Sequence, residues 1–376
     1  MTEWRKVKFL EVVQLNPRVS LTKGELYPFV EMSNAPIGSR YPENDVFQTF
    51  SGGGSKFEKR DTVIARIEPC LQNGKGFLSK YDKGFGSTEF LVFRPVNEEV
   101  MSYDFLYYFM GQQTIREAMA KTMVGASGRQ RVNNAFFNDL FITLPTLPVQ
   151  LRIAEVLSRY DALIENYQRQ IKLLEEAAQR LYKEWFVDLR FPGHQSTPII
   201  NNLPQSWQKK KLAEIAPIKT GKKDANFASD DGAYPFFTCA QAPIKAPSYS
   251  FDDNAVILAG NGDFNVKIYR GKFEAYQRTY VLVPYDSEML YLLFFCVSEN
   301  MVKLATGASG STIKFLTKGM IESLDLYQPS TMVLKKFNKL VEQIQSKKEN
   351  LLAQIRNLSE AKDRFLPKLM SGEIEV

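Results

Sequence analysis

The chain has 376 residues, 44% of them apolar, with 48 Lys and Arg against 42 Asp and Glu. That suffices for two or three separate cores, and so small a basic excess permits a polyanionic partner without demanding one. Three widely spaced cysteines, a single histidine and no apolar run of spanning length argue against a disulfide framework, a zinc site and a membrane partner, and point to a reducing cytoplasm.

From the N-terminus, "EWRKVKFLEVV" leads into the short β-type runs "RDTVIARIE", "GKGFLSKY" and "EFLVFRPV", each bounded by Gly, Pro, Asn or Asp. A helical stretch, "YDFLYYFMGQQTIREAMAKTMV", follows and ends in Gly-Ala-Ser-Gly at residues 125–128. The words "SGGGSK" and "QNGKGF" complete neither of the glycine-rich nucleotide motifs between a strand and a helix. They read as turns, some able to offer amides to a phosphate.

From Ile153 the apolar positions then advance in steps of four and three: Ile153, Leu157, Tyr160, Ile164, Tyr167, Ile171, Leu174, Ala178, Leu181 and Trp185. This is the heptad seam of a coiled coil. Pro145 and Pro148 precede the rod and "FPG" at 191–193 ends it. About 35 residues free of Gly and Pro give a helix of about 50 Å. Tyr182, Trp185 and Phe186 close the rod and read as filling its junction with a domain. His194, in "RFPGHQSTP", sits among turn formers and reads as a solvated linker residue.

The second half opens with "SWQKKKLAEIA", whose lysines suit a phosphate clamp or a solvated strand face equally well. The runs "NAVILAG", "NVKIYRG" and "TYVLVP", the turn words "KTGKKD" and "AGNGDF", and the helical stretch "SEMLYLLFFCVSENMVKLAT" lead to a second Gly-Ala-Ser-Gly at 307–310. A second rod carries Phe337, Val341, Ile344, Lys348, Leu351, Ile355, Leu358, Lys362 and Phe365, between "QPS" at 328–330 and Pro367, which ends or kinks it. Lys348 and Lys362 interrupt the seam, either snorkelling at its edge or marking where another chain packs.

The halves are copies. Trp4, Lys6, Lys8 and Glu11 recur as Trp207, Lys209, Lys211 and Glu214. In the rods Glu165, Asn166, Gln170, Ile171, Leu174, Glu176, Ala177 and Arg180 recur, without a gap, as Glu349, Asn350, Gln354, Ile355, Leu358, Glu360, Ala361 and Arg364. The offset shrinks by about twenty residues between the two sets, so the copies share their ends and differ in their interiors. The expected fold is α+β: two globular domains with curved β-sheets, joined by two long antiparallel coiled-coil helices in a pseudo-twofold tandem repeat. A homodimeric coiled coil is the alternative for either rod alone.

These words together resemble the specificity subunit of type I restriction-modification enzymes. "DTVIARIEPCLQNGKG" with "STEFLVFRP", "AVILAGNGDF" with "GKFEAYQRTYV", the segment "LPVQLRIAEVLSRYDALIENYQRQIKLLEEAAQRLYKEWFVD" and the ending "LPKLMSGEIEV" carry the resemblance over nearly the whole chain. It implies two target-recognition domains, 1–147 and 206–329, spacer helices at 148–190 and 330–376, and a linker at 191–205. It implies double-stranded DNA as partner, two methyltransferase subunits docked on the helices, and two motor-nuclease subunits in the full enzyme. It implies no cofactor on this chain, with S-adenosylmethionine, ATP and Mg expected on those partners, and no catalytic residue here.

Base edges are read by Arg, Lys, Asn and Gln, and the backbone is held by Lys, Arg, Ser, Thr and main-chain amides. The candidates for DNA contact are Asn73, Lys75, Arg129, Gln130 and Arg131 in the first domain, and Asn261, Asn265, Lys267, Arg278, Ser311, Thr312 and Lys314 in the second. For each, a solvated turn residue is the competing reading. A stand-alone enzyme and a purely structural coiled-coil adaptor are the competing functions. The missing methyltransferase, helicase and nuclease motifs weigh against the first.

Overall fold

The computed structural model describes residues 4–42, 45–126, 128–310 and 314–376. The fold is α+β and divides into two compact units, one formed by the chain up to Gln170 together with Asn350–Val376, the other by Ile171–Glu349. The two spacer helices are thus divided between the units, and their apolar faces are parts of each core.

In the first unit the strand Arg5–Lys8 pairs antiparallel with Phe141–Leu144. A helical turn, Phe9–Val12, then delivers the chain to a four-stranded sheet in the order Val13–Leu15, Phe90–Pro95, Thr62–Ala65, Gly76–Leu78. Thr62–Ala65 is buried at every position, which its continuous run of β-branched and small residues suits. A second sheet follows the order Phe47–Thr49, Leu26–Val30, Lys83–Gly86, Ser55–Glu58, with its middle pair parallel. The expected single helical stretch breaks at Gly111 into Tyr103–Met110, capped by the Ser102 hydroxyl on the Phe105 amide, and Gln113–Ala120. Phe9, Phe93, Phe105 and Phe137 share one buried cluster with Ile153, Leu157, Leu369 and Met370 of the long helices.

The second unit repeats this plan. Gln208–Lys211 pairs with Asp325–Gln328, a turn at Leu212–Ile215 follows, and the sheet runs Ile218–Thr220, Thr279–Leu282, Phe251–Ala259, Val266–Ala275, Tyr234–Phe237, Ile244–Ala246. The order of its first four strands is that of the first unit's first sheet. Here Phe251–Ala259 and Val266–Ala275 are long and unbroken, so a single six-stranded sheet does the work of two. Lys209 and Lys211 both bind Asp325, at 2.9 and 2.7 Å, so the lysine block is a strand face with its own counter-ion rather than an open clamp.

The long helices are Leu147–Tyr182, continued by a π-helical turn at Lys183–Val187, and Thr331–Ser371. Pro148 lies in the first turn of its helix rather than before it, where a missing N–H costs nothing. Pro367 lies inside the second helix and does not end it. Along the expected seam Ile153, Leu157, Ile164, Ala178, Phe337, Val341 and Leu351 are buried. Tyr160, Tyr167, Ile171, Leu174, Leu181, Ile344, Ile355 and Leu358 are half-buried. Phe365 is 40% exposed, beside the Tyr160 ring.

In each unit the helices pair antiparallel. In the first, Lys362 Nζ donates to Asp161 Oδ1 at 2.6 Å; in the second, Lys348 Nζ donates to Glu175 Oε1 at 2.6 Å and the Phe186 and Phe337 ring centroids lie 4.8 Å apart. Both seam lysines therefore have partners within the chain. Trp185 and Phe186 are buried against Phe337 and Trp207, filling the junction as expected.

Candidate nucleic-acid interface

In the first unit the central strand Thr62–Ala65 runs into a loop whose backbone meets the segment after the Gly-Ala-Ser-Gly turn. Glu68 N donates to Gln130 O at 3.0 Å and Val132 N to Arg66 O at 2.9 Å. Val124 and Arg131 exchange both amide bonds at 3.0 Å. Gly125 and Gly128 adopt φ of 124° and 76°, which explains the glycines. Arg66 N in turn donates to Glu89 O at 2.8 Å, bringing the loop before strand Phe90–Pro95 alongside.

At this confluence the Arg131 guanidinium forks onto Glu89, with Nε and Nη2 each 2.7–3.0 Å from its oxygens. The Arg131 hydrogen bonds hold the Glu89 carboxyl below the ordinary carboxylate range. Arg129 is exposed, and Gln130 reaches back to Gly125 O at 3.5 Å. Asn73 is exposed on the 66–75 loop, whereas Lys75 is turned inward, donating to Met32 O at 2.8 Å and Ser33 O at 3.4 Å. A neighbouring concavity is lined by Asn16, Arg18, Lys56, Arg66 and Thr88.

The second unit builds the same confluence from different residues. Ser309, within Gly-Ala-Ser-Gly, pairs with Phe315, Asn261 bridges Phe315, Leu316 N donates to Gly260 O at 2.8 Å, and Gly260 N donates to Arg278 O at 2.9 Å. By this register Phe315 stands where the first unit has Arg131, and Arg278 where it has Glu89. Arg278 and Lys314 are exposed, and a concavity here is lined by Thr220, Gly260, Gln277, Arg278, Phe315, Thr317 and Lys318. Asn261, Asn265 and Lys267 converge on the 239–240 backbone and side chain: Cys239 Sγ donates to Asn261 Oδ1 at 2.7 Å, Asn265 Nδ2 to Cys239 O at 3.0 Å, and Lys267 Nζ to Ala240 O at 2.9 Å and to Asn265 Oδ1. Burial lowers the Lys267 pKa. These three groups are spent largely on shaping the loop. Ser311 and Thr312 lie outside the described residues.

The chosen candidates thus gather in part: Gln130 and Arg131 in one unit, and Asn261, Arg278 and Lys314 in the other, stand at equivalent confluences. Sequence reasoning passed over Glu89, Arg66, Arg18, Lys56 and Lys318. Glu89 and Arg66 sit inside strand-forming words, and only long-range pairing reveals their position. No group of His, Cys, Asp and Glu among the described residues is arranged to hold a metal, and no single helix among them is long and apolar enough to cross a membrane.

The family model for the type I restriction modification DNA specificity domain matches residues 1–176 and again 204–357, one match for each half of this duplication. The chain belongs to the type I restriction-modification specificity family. Among its relatives, the specificity subunit of the Escherichia coli type I restriction enzyme EcoDI is 40% identical over 178 residues, 46% of this chain and 39% of that one. The MjaIX specificity subunit of Methanocaldococcus jannaschii is 27% identical over 303 residues, covering 73% of this chain and 69% of that one. The match to the E. coli relative thus spans well under half of that protein. The crystal structure of an S subunit from M. genitalium covers 98% of this specificity chain at a TM-score of 0.56 and 16% identity, a likeness of fold.

Proposed function

We propose that this chain chooses the DNA site for a type I restriction-modification complex, each unit reading one half of an asymmetric, interrupted sequence. One observation carries the reading: two units of the same strand order present equivalent backbone confluences with different side chains, Arg131 and Glu89 in one, Phe315 and Arg278 in the other. Equal scaffolds with unequal donors and acceptors suit two unlike half-sites. The long helices, about 54 and 62 Å at 1.5 Å per residue, set the half-site spacing at about one helical turn of DNA or slightly more.

The same helices carry the two methyltransferase subunits and, in the full complex, two motor-nuclease subunits. Leu151, Leu163 and Leu173 on the first helix and Met332, Leu340 and Leu352 on the second are exposed apolar residues that such docking would cover. Adenine methylation and its S-adenosylmethionine, and the ATP and Mg of the motor, belong to those partners. The complex works in the cytoplasm, which three free cysteines suit. Mapping methylated adenines across a genome that carries the system tests the reading. The expected motif is bipartite and non-palindromic; a continuous or palindromic motif would overturn it.

A further inference from the structure

The seam between the long helices is not symmetric. In the first unit Asp161, 2% exposed, accepts from Lys362 Nζ at 2.6 Å and from the Tyr108 hydroxyl at 2.6 Å. The repeat register that carries Glu165 onto Glu349 also carries Asp161 onto Gln345 and Ala178 onto Lys362. The mirrored position in the second unit therefore holds Gln345 beside Ala178, a neutral pair lining one groove. The buried charges are present once where the duplication offers two places for them.

We propose that the Asp161–Lys362 pair is a partner-choice device: it makes the first long helix select the second helix of its own chain over the first helix of another copy. In a homotypic antiparallel pairing of two first helices in the same register, Asp161 would face Ala178 and lose its cation. Two second helices would set Lys362 against Gln345 and leave the ammonium without an anion. A buried charge stripped of its partner is strongly disfavoured, whereas replacing both members of a buried pair by neutral residues is often tolerated. The pair therefore contributes discrimination more than strength, as single polar residues do in coiled-coil seams. The heptad pattern alone is compatible with either pairing, and the charges settle it.

The test uses the full chain carrying two different tags, co-expressed, with the fraction co-purified through one tag as readout. Asp161→Gln/Lys362→Ala copies the neutral pair of the second unit and erases the difference between the two pairings. Ala178→Lys/Gln345→Asp writes the ion pair into the mirrored position instead, so that homotypic pairing is satisfied too. Both double variants are expected to raise the co-purified fraction severalfold over the wild type, with the first keeping its melting temperature within a few degrees. Asp161→Gln alone, which leaves Lys362 unpaired, is expected to lower the melting temperature by roughly 10 °C. If neither double variant raises co-purification above wild type, the pair has no part in partner choice and the proposal is wrong.

Discussion

Place the two confluences side by side and the backbone is the same while the chemistry is inverted. The first unit sets an acid, Glu89, against Arg131; the second sets a cation, Arg278, beside Phe315. The sheets beneath them differ in a related way. The first unit's strands stop at Glu58 and resume at Thr62, with the chain turning through Arg60 at a φ of 70°, while the second unit runs unbroken from Phe251 to Ala259. What fills the break is Asp61, fully buried, accepting from Arg94 Nε and Nη2 at 2.7 Å each and from the Glu58 amide at 2.7 Å. The lesson is that continuity of a sheet can be traded for a buried ion pair without changing strand order.

The largest effect expected from breaking this comparison is at that junction. Asp61→Ala leaves Arg94 Nε and Nη2 and the Glu58 amide without their acceptor, while Arg94 Nη1 keeps the Glu58 carboxylate at 2.9 Å, so the cost is about 3 kcal/mol, the low end for a broken buried pair. Hydrogen exchange should show protection falling in strands Ser55–Glu58, Thr62–Ala65 and Phe90–Pro95 while Phe251–Ala259 and Thr279–Leu282 keep theirs. Equal loss in both units would mean that the junction is not local to the first.

Next in size are the exposed cations. Arg278→Ala should weaken binding to the cognate duplex roughly ten- to hundredfold and relax selectivity only in the half-site read by the second unit. Arg129→Ala/Arg131→Ala should relax the other half-site and flatten the salt dependence of binding by about one to two ions, with the assembled methyltransferase intact. Titrations at several salt concentrations that showed no change for the pair would remove this segment from the interface.

The smallest effect belongs to Glu89→Gln, which removes a negative charge and frees Arg131, so non-specific DNA affinity should rise by roughly a few-fold. Glu89 titrates below its ordinary value of 4.5, so its tether is fully present at pH above that value and is lost as pH falls through the lowered one. The ratio of variant to wild-type affinity should accordingly be the same at about pH 6 and about pH 8. A ratio that drifts over that interval would place another titrating group in control of Arg131.

Much of the fold was legible because its signals are periodic or duplicated. The central runs "DTVIARIE" and "NAVILAG" fall on the buried strands Thr62–Ala65 and Phe251–Ala259, and the four-and-three spacing falls on the long helices. The first unit's second sheet was missed because Leu26–Val30 is short, half-exposed and broken by Pro28, and Phe47–Thr49 is short and exposed throughout, leaving no alternation to see. Pro148 misled, as did Pro367 where it was taken to end the helix, for a physical reason: an imino residue marks a boundary only when its missing amide was needed or its ring has no room. The site was legible to the extent that it follows the repeated turn. Lys75, Asn265 and Lys267 are candidates by residue type, and nothing local reveals that they also donate to carbonyls of distant loop residues.

The segments 130–132 and 315–316 are fastened to the neighbouring loops through amides and carbonyls. A joint of that kind is blind to the side chains it carries. Arg131 and Phe315, unlike in size and charge, occupy it equally well. Such a position can be rewritten one residue at a time while the unit goes on folding. On the proposed function, a chain with two of these slots varies one half-site preference while the other stays in use.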